Sequence, residues 1–289
     1  MAKSAGVHAM SLFLIRKSSS TLVKQALKQE ALTAQKGFSL LELVIALTIF
    51  VVLMIATVNV VKTLREYDHL LENERYMTSV KGAFMTFVKV NQFLPCPDTD
   101  ADADGKENRE GAPNFECTSE EGKVPFLDLG VPAVDAWNQP LFYAINNEAD
   151  SSVGIVKPLA SARYFNRALA PAFTLNTWPI GESGSVGNYR ICGEEAASCS
   201  SSTTADGLLE AAAIAVVVSF GENGAVTWSA INSGTNIGLD DAEAENMDGD
   251  QNYWQAIGSL REGKAFDDQL FWLLGDDLKY AIMSSGGTL

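Results

Sequence analysis

Gln35 to Phe50 reads QKGFSLLELVIALTIF, and the apolar run that opens at Phe38 in this stretch continues to Val61. Across those 24 residues Glu42 is the only charged side chain. As a helix rising about 1.5 Å per residue, the run is about 36 Å long, enough to cross the hydrocarbon core of a bilayer. β-Branched residues are frequent in it (Val44, Ile45, Ile49, Val51, Val52). In lipid, where no water can satisfy the backbone, helix remains the conformation open to them. A carboxylate in such a segment costs about 2.5–3.5 kcal/mol near the middle and less near an end. Glu42 lies one turn from the start, so it can sit at the membrane face, and a nearby cation lowers the cost further.

Charge is divided about this run. Residues 1–37 carry Lys3, Arg16, Lys17, Lys24, Lys28 and Lys36 against Glu30, a net of +5. The whole chain of 289 residues is −15, which leaves −20 for residues 38–289. A basic segment ahead of an apolar span and an acidic one behind it orient the chain, with the leader cytoplasmic and the acidic part exported. So acidic a domain repels phosphate, and nucleic acid is not an expected partner. The leader has no apolar core of its own. The only such core follows Gly37, whereas an ordinary secretory signal places it before the cut.

The string Lys36-Gly37-Phe38, with Glu42 at the fifth position counted from Phe38, resembles the processing site of type IV prepilins and type II secretion pseudopilins. The resemblance implies cleavage between Gly37 and Phe38 by a prepilin peptidase, methylation of the new Phe38 amine, and assembly with other pilin or pseudopilin subunits on an inner-membrane platform. It implies a localisation too: inner membrane with a periplasmic head, then pilus or pseudopilus. The freed amine is a cation that a neighbouring subunit can present to Glu42. A plain signal anchor with one tolerated glutamate is the competing reading. Further blocks are similar to large prepilin-like proteins: LPCPDTDADADG from Leu94, VVVSFGENG from Val216, and DAWNQPLFY from Asp135. The last is similar to the Asp-x-Trp-Gly-Asn-Pro-x-x-Tyr block of major pseudopilins, with Asn138-Gln139 in place of Gly-Asn. The head is larger than a major pseudopilin's, which favours a minor subunit.

The expected fold class is α+β. A long N-terminal helix packs on a mainly antiparallel β head with long loops. Residues 1–37 form a cleaved leader, 38–61 the membrane and filament-core helix, 62–92 its amphipathic continuation, and 93–289 the head. From Lys62 to Val90 there is no Pro and one Gly, and apolar residues recur at helical spacing (Met77, Val80, Phe84, Val88). Pro95 and Pro97 are expected to end the helix. Pro140–Ile145 and Leu270–Leu274 read as strands. Ala211–Phe220, GENG and Ala225–Trp228 read as a hairpin turning at Asn-Gly. Ser284–Leu289 reads as a frayed tail.

Four cysteines, Cys96, Cys117, Cys192 and Cys199, all follow the apolar span. An even count in an exported domain indicates two disulfides. Three pairings are possible, and the local one, Cys96–Cys117 and Cys192–Cys199, is expected because each pair brackets a polar loop. Zinc is disfavoured, since no CxxC occurs and no His follows residue 69. Asp98, Asp100, Asp102 and Asp104, ahead of Gly105, alternate in a loop and can aim oxygens at one point, as Ca²⁺ requires. From Asp100 they match half of an EF-hand loop, but the twelfth position is Gly111 where a bidentate Glu is needed. A solvated acidic loop is the other reading. Asp240, Asp241, Asp248 and Asp250 form a second, weaker cluster.

Enzymatic function is not expected. The two histidines, His8 and His69, lie in the leader and on the predicted helix, so neither supplies a base to the head. The five tryptophans suit core packing. The expected role is structural, with a calcium-dependent adhesive head at a pilus tip as the alternative.

Overall fold

The structure is a computed structural model that describes residues 39–112, 115–146, 163–168, 170–177, 189–193, 199–200, 203, 205–234, 244–256, 259–261 and 264–289. The leader, Gly37 and Phe38 lie outside the described residues, as do Asp240 and Asp241. The chain divides into two compact units, Met1–Thr63 and Leu64–Leu289.

A single helix, α1 (Leu40–Asn91), follows from the Pro-free stretch. Its end is set before the prolines: Gln92 takes a left-handed φ of 65°, and its N–H bonds the Val88 carbonyl at 2.8 Å. Pro95 and Pro97 thus fall beyond a helix that has already closed. Within the second unit, α1 buries a stripe of Asn73, Met77, Val80, Phe84 and Val88, spaced by three and four residues.

That stripe packs on a six-stranded sheet. Its strands are β1 (Glu121–Lys123), β2 (Phe142–Ile145), β3 (Tyr189–Cys192), β4 (Leu208–Ser219) and β5 (Asn252–Trp254), in the order β1-β2-β4-β3-β5. A later strand, Gln269–Leu274, pairs antiparallel with β4. All pairings are antiparallel except β3 with β5. A separate hairpin joins Ser259–Arg261 to Lys264–Phe266; in chain order these are β6 and β7, and Gln269–Leu274 is β8.

β4 is buried from Ala211 to Ser219. Its apolar run is continuous, with no alternation, because both faces of the sheet are covered. On one face Tyr143, Ile145, Ala215, Val217, Phe271 and Leu273 share a cluster with Phe84 and Val88 of α1. On the other, Phe142, Ala144, Val216 and Val218 cluster with Phe220, with Trp228 and Ile231 packed against them.

Trp228 and Ile231 belong to a helix, α3 (Gly224–Ser233), where a hairpin strand was expected; α2 is the single turn Phe126–Leu129. A type I′ turn needs positive φ at both Asn223 and Gly224. Here their φ values are −88° and −51°. The chain turns earlier, at Gly221 (φ 61°), where a Cβ would lie 2.3 Å from the Asp267 carboxylate that accepts the Glu222 N–H. A 3₁₀ turn, Gly221–Asn223, then feeds α3, which covers the face a hairpin would have left open.

The C-terminus also departs from expectation. Gly275–Ser284 forms α4, burying Leu278 and Ile282 in the α1-side cluster. The tail beyond it is folded back, not frayed: Gly287 N–H bonds the Ile282 carbonyl at 3.1 Å, and Leu289 packs against the same cluster.

Candidate functional site

Among the described residues, four places carry chemistry beyond core packing: the start of α1, the DAWNQP loop, the loop closed by the first disulfide, and an acidic cluster about Asp248 and Asp250.

At the start of α1, Ser39 and Glu42 cap the helix reciprocally. Ser39 Oγ accepts the Glu42 N–H at 3.2 Å, and a Glu42 carboxylate oxygen accepts the Ser39 N–H at 3.1 Å. This is a capping box, legible as Ser-x-x-Glu but not anticipated. It satisfies Glu42 within its own chain and answers two of the donors that every helix start leaves open. Thr48 and Thr57 return their hydroxyls to the carbonyls of Ile45 and Met54, so neither presents an open donor to lipid. Large apolar side chains from Leu40 to Val61 are 47% to 82% exposed. Such a helix is long and apolar enough to cross a membrane. Fully covering each Leu, Ile or Val is worth about 1.5–3 kcal/mol, so this surface demands lipid or other apolar partners.

In the DAWNQP loop, Asp135 Oδ1 accepts the Trp137 and Gln139 N–H groups, both at 2.9 Å, and Asn138 takes a φ of 61°. Asparagine tolerates this left-handed conformation better than most side chains. Asp135 Oδ2 accepts from Ser219 Oγ at 2.7 Å, and Ser219 Oγ in turn accepts from Asn73 Nδ2 at 2.9 Å. Gln269 completes the chain, accepting from Asn73 and donating to the Leu70 carbonyl. The second half of α1 is thereby tied through buried polar groups to the end of β4, the start of β8 and the loop. Burial pushes the Asp135 carboxyl up, and its bonds from Ser219, Gln139 and Trp137 pull it back. Burial and the Asp135 charge push the Tyr76 hydroxyl up in the same region, where it donates to the Pro132 carbonyl at 2.6 Å. Asn73 could have been flagged as the one polar residue on an otherwise apolar stripe.

Disulfides join Cys96 to Cys117 and Cys192 to Cys199, the local pairing. The larger loop is held from within by Arg109, which donates to the carbonyls of Leu94 (2.8 Å), Phe115 (3.0 Å) and Phe165, and pairs with Glu107 at 2.8 Å. At its start Asp98 bridges to Lys123 of β1 through both backbone groups. Asp98, Asp100 and Asp104 each bring a carboxylate oxygen within 4.8 Å of the others. Asp102, expected with them, stands outside this group. The alternation needed to aim it inward breaks at Ala103, whose φ is 46° and whose N–H turns back to the Asp100 carbonyl.

Of the second acidic cluster, Asp248 and Asp250 are joined by two residues the spacing did not reveal, Glu121 and Glu245. Burial, then the charges of Asp250 and Asp248, push the Glu245 carboxyl up to about 7. Burial and Asp248 raise Glu121 in the same direction.

Over residues 32–58 the chain matches the prokaryotic N-terminal methylation motif. No curated protein and no solved structure matches it.

Proposed function

We infer that this chain, a type IV prepilin-like protein by its N-terminal methylation motif, is a minor structural subunit of a type IV pilus or type II secretion pseudopilus. The precursor is held in the inner membrane by the apolar start of α1, with its basic leader in the cytoplasm and its acidic head in the periplasm. Prepilin peptidase hydrolyses the Gly37–Phe38 peptide bond, and the freed Phe38 amine is methylated. With the inner-membrane platform, the helix then leaves lipid and packs among those of neighbouring subunits, exchanging one apolar environment for another. Its mechanism is assembly and asks no catalysis of the head.

The observation that carries this reading is one carboxylate, Glu42, on the first turn of a helix whose large apolar side chains are exposed as far as Val61. Within a single chain Ser39 answers that carboxylate. In a filament a neighbour's Phe38 amine offers a full positive charge in a water-poor setting, where pairing is stronger than in water. Glu42 then sets the axial register. Intact mass of the exported chain gives a mature protein beginning at methylated Phe38. Glu42→Val is cut normally yet drops out of purified filaments. A mature N-terminus anywhere else, or undiminished incorporation of Glu42→Val, overturns the reading.

A further inference from the structure

We propose that Asp98, Asp100 and Asp104 form a divalent-cation site that takes Ca²⁺ in preference to Mg²⁺. The site lies on the head and stands whether or not the filament reading holds.

Ca²⁺ accepts irregular sets of oxygens at about 2.3–2.6 Å, whereas Mg²⁺ demands a near-ideal octahedron at about 2.0–2.1 Å and gives up its waters reluctantly. The three carboxylates each bring an oxygen within 4.8 Å of the others, a separation one cation can span, and carboxylates on an irregular loop suit the calcium habit. Three like charges at that separation repel, and a loop that kept them together without a cation would do so at a cost.

Asp98 supplies the second observation. It is 2% exposed, and its Oδ1 has no hydrogen-bond partner among the described residues, while Oδ2 accepts the Gly105 N–H at 2.8 Å. A carboxylate withdrawn from water with one oxygen unanswered is rare unless something binds it. Its position is fixed on both sides. Its backbone is paired with Lys123 of β1, and Gly105, at φ 79°, has the Phe126 ring where a Cβ would be, 2.6 Å away.

Lys106 Nζ sits 2.8 Å from Asp104 Oδ2, a counter-charge on two exposed side chains. An exposed pair separates at little cost, so a cation can displace it. The remaining coordination falls to water, which suits a weak exported site rather than a cytosolic buffer. A bound ion would fasten the segment after Cys96 to β1 and stiffen the loop that the Cys96–Cys117 disulfide closes.

The test is calorimetry on the full processed chain in detergent, dialysed against a chelator and titrated with CaCl₂ or MgCl₂. One Ca²⁺ binds per chain with a Kd of about 10⁻⁴–10⁻³ M, and Mg²⁺ binds about tenfold more weakly. Asp100→Asn/Asp104→Asn changes two exposed residues, so it keeps the chelator-state Tm of the parent while weakening Ca²⁺ about tenfold or more. Lys106→Met, which removes the competing ammonium, tightens it severalfold. Absence of Ca²⁺ binding up to about 10 mM overturns the proposal. Undiminished binding in the double variant, or Mg²⁺ binding as strong as Ca²⁺, overturns it as well.

Discussion

Asp135 gathers three donors on one buried side chain, taking Ser219 Oγ–H, Trp137 N–H and Gln139 N–H. Truncation to Ala leaves these donors facing a cavity. A buried donor stripped of its acceptor costs about 1–3 kcal/mol, and losses within one network are not additive. Asp135→Ala is therefore expected to destabilise the head by about 3 kcal/mol, a lower urea midpoint by tryptophan fluorescence being the readout. Asn73→Ala removes a donor rather than the shared acceptor and is expected to cost about half as much. Equal midpoints for the parent and Asp135→Ala would show that the network adds nothing to the fold. The loop itself was visible in DAWNQP. Its partners were not, because Ser219 lies 84 residues from Asp135 and 146 from Asn73. Glu42 is the opposite case, since a lone charge in an apolar run is a local signal that needs no fold to be read.

At the scale of elements, legibility followed the range of the forces involved. α1 was readable because lipid-length apolarity and a Pro-free amphipathic stretch are local properties. β2, β4 and β8 were readable from apolar, β-branched runs. α3 was not. Its sequence, GAVTWSAINS, is compatible with strand or helix, and the choice was made by Asp267 gripping the turn at Gly221 and by an uncovered sheet face. α4 was missed for a similar reason, its Leu278 and Ile282 finding a cluster built from distant segments. The disulfide pairing followed from proximity in sequence, and the loop lengths carry a testable ordering. Chain-entropy loss in the unfolded state grows with loop size, giving about 3 kcal/mol for the 21-residue separation of Cys96–Cys117 and about 2 kcal/mol for the 7-residue separation of Cys192–Cys199. Paired Cys→Ser variants should therefore rank in that order by thermal midpoint, and the reverse order would place the stabilisation in native-state contacts instead.

At the scale of the whole molecule the dominant quantity is an excess of negative charge, −15 for the full chain and −20 beyond Gly37. Several carboxylates are held above their ordinary range, mainly by burial: Asp98, Glu121, Asp135, Asp248 and Asp267, with Glu245 raised to about 7. An acid whose pKa is higher folded than unfolded binds its proton more tightly in the folded state. The stability it lends is complete below the unfolded value, 4.5 for Glu245, and is lost as pH rises through about 7. Self-repulsion of the acidic head acts in the same direction. With chelator present, the thermal midpoint should therefore fall between pH 5.5 and pH 7.5. Glu245→Gln removes a carboxyl that titrates within this interval and relieves its repulsion with Asp248 and Asp250. That variant should melt higher than the parent at pH 7.5, and the two should converge toward pH 5. A parent midpoint that is flat or rises across the interval would mean that these carboxylates ionise as freely in the folded head as in water.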